Sequence, residues 1–122
     1  MITRAFAEAF SAEWIEAFNR HDLDRVLSHY SEDFEMSSPF IIKVAGEPSG
    51  TLKGRAAIRA YWSKALTLRP DLHFRLVTVF SGVDSVVIHY QRHDDSYAAE
   101  YFEFDSSGNV SKSSAHYVSL GL

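Results

Sequence analysis

The chain has 122 residues and a formal net charge of −4, which is enough for one domain, residues 1–122, with a core that needs no metal or disulfide. It contains no cysteine, so disulfides, thiolate metal sites and a cysteine nucleophile are excluded. No run of Lys and Arg occurs and no apolar run approaches about 18 residues, so we expect no nucleic-acid partner, no membrane partner and a cytoplasmic location.

The N-terminal segment carries an apolar residue at every fourth position, at Phe6, Phe10, Trp14 and Phe18. This spacing predicts a helix that begins near Thr3 and buries one face. Residues 19–21 are expected to end it. Asp22 can then cap a second short helix. Its apolar face would consist of Leu23, Val26, Leu27 and Tyr30.

Residues 34–42 alternate between apolar and polar, which predicts a strand. Pro39 cannot donate a backbone hydrogen bond, so we expect this strand at the edge of a sheet. Residues 43–54 contain three Gly, one Pro and one Ser, which are turn formers and predict a loop. A third helix follows, with Pro70 at its end and one apolar face formed by Ile58, Trp62, Ala65 and Leu66.

The remainder of the chain changes from helical to strand periodicity. Four strands are predicted, at residues 72–80, 86–91, 97–105 and 110–118. The connections between them are short and polar, which favours an antiparallel meander. Helices followed by a twisted antiparallel sheet predict an α+β cone whose open end is the default ligand site.

Three motifs carry a resemblance to a known family: D-L-D-x-V-L-x-x-Y-x-E-D-F, G-R-A-A-I-R-A-Y-W and F-E-F-D-x-x-G-x-V. In this order they make the chain similar to the nuclear-transport-factor-2-like superfamily, in particular its SnoaL-like and ketosteroid-isomerase-like members. The resemblance implies an NTF2-like (cystatin-like) cone with a hydrophobic pocket, and a homodimer packed through the outer face of the sheet. It does not imply one function, because such cones host isomerases, cyclases, hydrolases, dehydratases and binding proteins.

The catalytic residues of ketosteroid isomerase are only partly present. By the resemblance, its oxyanion-hole tyrosine falls on Trp14, its general base on Ser38 and its protonated aspartate on Glu100. Only Glu100 keeps an acid. Because Ser38 cannot serve as the base, ketosteroid isomerase activity is not expected.

Glu100 is the main candidate for an acid–base residue. If Phe102 and Phe104 point into the cone, strand alternation sends Glu100 the same way and Tyr101 and Glu103 outward. Burial among apolar groups would raise the pKa of the Glu100 carboxyl toward neutrality. The alternative is that Glu100 has no catalytic role and is a polar group at the pocket rim, or a partner for a buried Arg or Tyr.

The last strand offers a second candidate. We expect Ser111, Ser113, Ala115 and Tyr117 to face inward and Val110, Lys112, Ser114, His116 and Val118 to face outward. If the register differs by one residue, His116 turns inward and becomes an alternative base.

No metal or cofactor is expected. His89, Glu103 and His116 could meet across neighbouring strands, but nothing in their spacing requires a metal. Residues 93–95 are interpreted as a hairpin turn.

The chain has nine Phe, six Tyr and two Trp, which favours a cavity with aromatic walls. The residues predicted to contact a ligand are Trp14, Phe18, Tyr30, Met36, Ser38, Phe40, Trp62, Phe74, Ile88, Tyr90, Phe102, Ser113 and Tyr117. Our first hypothesis is an acid–base enzyme of isomerase, cyclase or hydratase type that acts on a hydrophobic, carbonyl-bearing or polycyclic small molecule. In this hypothesis Glu100 handles the proton, and Trp14, Tyr90 and Tyr117 orient the ligand. The alternatives are a non-catalytic binder of an apolar small molecule and a dimeric scaffold.

Overall fold

The computed structural model describes all residues 1–122. Three helices and six strands follow one another along the chain. The helices are α1 Arg4–Asn19, α2 Leu23–Leu27 and α3 Arg55–Leu68, and the strands are β1 Tyr30–Ser37, β2 Thr51–Lys53, β3 Arg75–Ser81, β4 Ser85–Gln91, β5 Tyr97–Phe104 and β6 Val110–Tyr117. None of the helices has both the length and the apolar character needed to cross a membrane.

The two N-terminal helices begin where the sequence predicts. The Thr3 hydroxyl accepts a hydrogen bond from the Phe6 amide at 3.0 Å, and the Asp22 carboxylate accepts one from the Arg25 amide at 3.1 Å. Each side chain thereby satisfies an amide that the helix cannot pair internally.

Tyr30 does not belong to α2, contrary to the prediction. It opens β1, where it pairs with Val110 of β6 and is completely buried. The helical spacing was misleading because Tyr30 lies on the core side in either conformation.

The strands form one sheet in the order β2-β1-β6-β5-β4-β3. The predicted meander is confirmed, since β3 to β6 pair antiparallel in sequence. This meander and the helices on one side of the curved sheet confirm the α+β architecture.

The prediction of an edge strand near Pro39 is wrong. β1 lies inside the sheet, antiparallel to β2 and parallel to β6. Pro39 is compatible with this position because β1 ends at Ser37. The last backbone hydrogen bond before the proline runs from the Ser38 N–H to the Gly50 carbonyl, at 2.9 Å. The chain then makes a π-helical turn, Ile41–Ala45, where a strand end and a loop were predicted.

The helices cover the concave face of the sheet with aromatic side chains. Phe10 of α1 meets Phe102 of β5 edge to face, with ring centroids 5.0 Å apart. Trp14 packs against both Phe102 and Phe74, at centroid distances of 5.3 and 5.6 Å. Such pairs contribute beyond the burial of area alone, so the α1 stripe holds the helix in one place on the sheet.

The outer face of the sheet carries the opposite residues of each strand. Phe80, Val87 and Tyr101 are directly paired neighbours there. Phe80 is 57% exposed. A second row alternates in charge across four strands, in the order Glu103, Lys112, Glu35 and Lys53.

Core packing predicts different costs for two phenylalanines. Phe102→Ala removes a completely buried ring and should lower the free energy of unfolding by about 3–5 kcal/mol. Phe80→Ala removes a ring that is largely exposed in the single chain and should cost under about 1 kcal/mol at a protein concentration that keeps the chain monomeric. Urea denaturation of both variants checks this. Equal losses would contradict the packing described above, and Phe102→Leu serves if the alanine variant does not fold.

Candidate functional site

A small cavity lies between α1, α3 and the concave face of the sheet. Its volume is about 60 Å³, whereas drug-sized ligands occupy pockets of roughly 300 Å³ or more. Sixteen residues line it, and twelve of them are hydrophobic. The cavity is therefore where a cone would have its ligand site, but side chains fill most of it.

Nine of the candidate site residues contribute to the cavity wall. They are Trp14, Phe18, Met36, Phe40, Trp62, Phe74, Tyr90, Glu100 and Tyr117. Five other candidates are buried without lining it: Tyr30, Ser38, Ile88, Phe102 and Ser113. Phe102, for example, is enclosed by Phe10 and Trp14.

Glu100 lies in the middle of β5, where Ile88 of β4 and Ala115 of β6 flank it. It is only 3% exposed. Burial raises the pKa of its carboxyl to about 8, and a hydrogen bond from Tyr90 opposes part of this rise. The Tyr90 hydroxyl lies 3.4 Å from Oε1. At neutral pH the carboxyl is therefore mostly protonated and can donate a hydrogen bond.

A series of hydroxyl groups extends from Glu100 along the cavity wall. Tyr90 hydrogen-bonds to Glu100, and Ser38 partly offsets the rise in the pKa of the Tyr117 and Tyr61 phenols. Burial raises the pKa of Tyr90 and Tyr117 well above the ordinary value and that of Tyr61 to about 12. These phenols consequently stay neutral and act as hydrogen-bond donors and acceptors.

Trp14 contributes its ring to the cavity but not its N–H group. The indole N–H donates to the Tyr30 hydroxyl at 3.0 Å, in a bond buried in the core. The expectation that Trp14 orients a ligand through this group is therefore wrong, because the donor is already used.

The mouth of the cavity contains residues that the sequence did not indicate. Arg69, Arg92 and His93 line it together with Leu122. Arg92 is 3% exposed, and its guanidinium lies over the rings of Phe40 and Tyr117, 4.9 and 5.0 Å from their centroids. His93 is more than a turn residue, since its Nε2 lies 3.2 Å from the Leu122 carbonyl oxygen.

A signal for both arginines was present in the sequence. Alternation along β4 puts Ile88 and Tyr90 inward. Arg92, two residues after Tyr90 and just beyond the end of the strand, is buried in the same way. Arg69 follows Ala65 at the four-residue spacing of the buried face of α3.

His116 is exposed and lies on the outer face of β6, so it cannot be the alternative base of the cavity. His89 shares this outer face, and Ala99 separates the two histidines across the sheet. The structure places no three His, Asp or Glu side chains where they could share a metal ion.

The predicted inward and outward orientation of the β6 residues holds for the second half of the strand only. Ser113 and Ala115 are buried as expected, but so is Val110, which was expected to face outward. Glu103 pairs with Lys112 and Phe104 with Val110, so Ser111 of β6 is an extra, bulged residue that shifts the register. One extra residue in a bulge reverses the side that every residue beyond it faces.

The chain is similar to known proteins in both sequence and structure. The family model of the SnoaL-like domain matches residues 11–112. A crystal structure of a SnoaL-like protein of unknown function from Burkholderia thailandensis is 52% identical, with a TM-score of 0.92, and the match covers 97% of this chain and 98% of that one. The comparison with curated proteins gives no match.

More distant structures share the fold. A putative polyketide cyclase from Sinorhizobium meliloti is 11% identical, with a TM-score of 0.72 over 88% of this chain and 94% of that one. TerC co-crystallised with polyporic acid is 14% identical, with a TM-score of 0.75 over 92% of this chain and 91% of that one. At these identities the likeness shows the fold alone. The family match and the 52% identical structure show more: this chain belongs to the SnoaL-like domain family.

Proposed function

We propose that the cavity binds a hydrophobic small molecule with a carbonyl group and that Glu100 is the acid–base residue that acts on it. The observation that carries this proposal is a buried carboxyl with a pKa of about 8 inside an aromatic cavity. A strongly shifted carboxyl in a cavity is typical of a functional site.

The protonated carboxyl would donate to the carbonyl oxygen of the ligand. Negative charge develops on that oxygen when a proton leaves the neighbouring carbon, and a donor held in a dry site stabilises this charge strongly. Tyr90 and Tyr117 would hold the ligand through the hydroxyl groups described above. This chemistry suits an isomerase, cyclase or hydratase that passes through an enol.

His93 supplies a proton acceptor at the same cavity. Its Nε2 faces the Leu122 carbonyl and therefore carries the hydrogen in the neutral ring. Its Nδ1 is then an acceptor, and this atom is buried without a partner in the protein. Glu100 and His93 together provide the donor and the acceptor that enolisation requires.

The alternative function is non-catalytic binding of an apolar molecule in the same cavity. It is favoured by the absence of a second carboxylate among the lining residues. The small volume of the cavity requires side chains or the segment 118–122 to move in either case.

We further propose that the chain forms a homodimer through the outer face of the sheet. Phe80, Val87 and Tyr101 give this face an apolar row. Beside it, the alternation of Glu and Lys across four strands lets a two-fold copy set opposite charges against each other.

The pKa of Glu100 predicts a stability that depends on pH. Between pH 4.5 and about 8 the folded chain keeps a proton that the unfolded chain has released, so stability should fall as pH rises, by roughly 1 kcal/mol per pH unit. Glu100→Gln has no such proton, and its stability relative to the wild type should increase with pH. Urea denaturation at pH 5, 6.5 and 8 measures this.

Glu103→Gln is the matched control for that experiment. It makes the same change three residues along β5, on the outer face, and should keep the slope of the wild type. Equal slopes for all three proteins would show that Glu100 is not protonated in the folded state.

The enzyme hypothesis predicts proton exchange on a simple ketone. The protein should accelerate exchange of the α-protons of 2-tetralone with D₂O, followed by NMR, because one group donates to the carbonyl and another accepts the proton. Glu100→Gln should reduce this acceleration at least about tenfold, whereas Glu103→Gln should not. The rate should fall above a pH of about 8, where Glu100 loses its proton. No acceleration by the wild type would leave only the binding function.

The dimer proposal predicts that one substitution lowers the mass of the protein in solution from that of a dimer to that of a monomer. Phe80→Asp places a charge in the apolar row and should give a monomer in light scattering after size exclusion. Leu68→Asp makes the same change at an exposed residue of α3 and should leave a dimer. A monomeric wild type at all concentrations would refute the proposal.

A further inference from the structure

The mouth of the cavity holds a buried positive charge whose ion pair is long. Arg92 is almost completely buried, and the side-chain carboxylate that it pairs with, Asp94, lies 3.7 Å away. Buried guanidinium groups are normally paired with a carboxylate in good geometry. Arg92 therefore has an unused capacity to bind an anion.

The present hydrogen bonds of Arg92 are long. Its donors lie 3.4 Å from the Ser96 hydroxyl, 3.4 Å from the Ser119 carbonyl and 3.3 Å from the Gly121 carbonyl. All three distances exceed the usual range of about 2.7–3.2 Å. Since two of the acceptors belong to the segment 118–122, an anion could replace them by moving that segment alone.

Two aromatic rings restrict the directions from which a ligand can reach Arg92. Phe40 and Tyr117 both lie within 5.0 Å of the guanidinium carbon and both line the cavity. Stacking of this kind holds the guanidinium in place and leaves the N–H groups, which lie in the plane of the guanidinium, free to donate. The group is therefore preorganised for the two parallel hydrogen bonds that a carboxylate accepts.

Arg69 adds a second cation to the same cavity wall. Its terminal nitrogen pairs with Asp71 at 2.6 Å, but its Nε is buried without a partner in the protein. Asp71 and Asp94 are both partly exposed to water, which weakens their repulsion of an anion. Glu100, the one acidic side chain that lines the cavity, is mostly protonated at neutral pH and adds little negative charge.

We infer that Arg92, with Arg69 on the same wall, forms a carboxylate-binding subsite at the mouth, and that the ligand of the cavity is an apolar or aromatic molecule that carries a carboxylate. This inference rests on the proposed function of the same cavity and specifies the class of its ligand. The apolar body would enter among the aromatic rings, and the carboxylate would take the place of the Ser119 and Gly121 carbonyls on Arg92.

Benzoate and benzamide test this subsite as a pair of equal size, one charged and one neutral. Their binding can be titrated by NMR on the indole N–H signals, because the only two tryptophans, Trp14 and Trp62, both line the cavity. A charge-assisted bond contributes more than a neutral one, so the wild type should bind benzoate about tenfold more tightly than benzamide. The preference should weaken as salt concentration rises.

Substitutions assign the preference to Arg92. Arg92→Met keeps an apolar side chain between the two rings and should bind both probes equally, while Arg92→Lys should keep part of the preference. Arg59→Met is the matched control, because it removes an arginine of α3 that is exposed and pairs with Asp24 outside the cavity. It should retain the preference of the wild type.

The outcomes separate this inference from the proposed function. Equal affinity of the wild type for benzoate and benzamide would overturn the carboxylate subsite while leaving an apolar binding cavity. A preference for benzoate over benzamide that survives Arg92→Met would overturn the role of Arg92. If this variant does not fold, the full preference of the wild type in both Arg69→Met and Arg92→Lys would overturn it instead. Binding of neither probe would overturn the subsite and the proposed cavity function together.

Discussion

The constraint on which the site depends is that a carboxyl group surrounded by aromatic rings keeps its proton. Glu100 occupies an inward position of β5, so the strand cannot pair in this register without removing the carboxyl from water. The surroundings suit a neutral acid: Tyr90 donates to it, and burial keeps the phenols of Tyr61 and Tyr117 neutral as well. The aromatic wall and the polar series are thus two results of the same burial.

Much of the fold could be predicted because its determinants are local. Four-residue spacing of large rings defines α1, and the capping residues Thr3 and Asp22 mark where α1 and α2 begin. The part that could not be predicted depends on partners distant in the chain. β1 lies inside the sheet only because β2 and β6 approach it from both sides, and no pattern within β1 reports this. Tyr30 shows the same limit, since helical and strand positions would bury it equally.

The candidate site was accessible to the same reasoning only in part. Alternation along a strand is sufficient to turn Glu100 inward, and it continues past β4 to Arg92. It cannot give the volume of the cavity, which depends on how the rings of Trp14, Phe74 and Tyr90 pack against one another. Nor can it show that the segment 118–122 returns over the mouth. The bulge at Ser111 of β6, opposite the step from Glu103 to Phe104, turns Val110 inward, and no residue pattern within β6 marks it.

The parallel pairing of β1 with β6 also affects the order in which the molecule folds. Tyr30 and Val110, which pair directly, are separated along the chain by the whole of α3 and four strands, β2 to β5. The hairpins of β3 to β6 close short loops and can form early, whereas this pairing closes a long one and is entropically slower. β1 can pair with β2 early, because only residues 38–50 separate the two strands, but its edge toward β6 stays unpaired until the sheet is complete. Folding also takes up a proton at neutral pH, because the Glu100 carboxyl is ionised in the unfolded chain and mostly protonated once the sheet buries it.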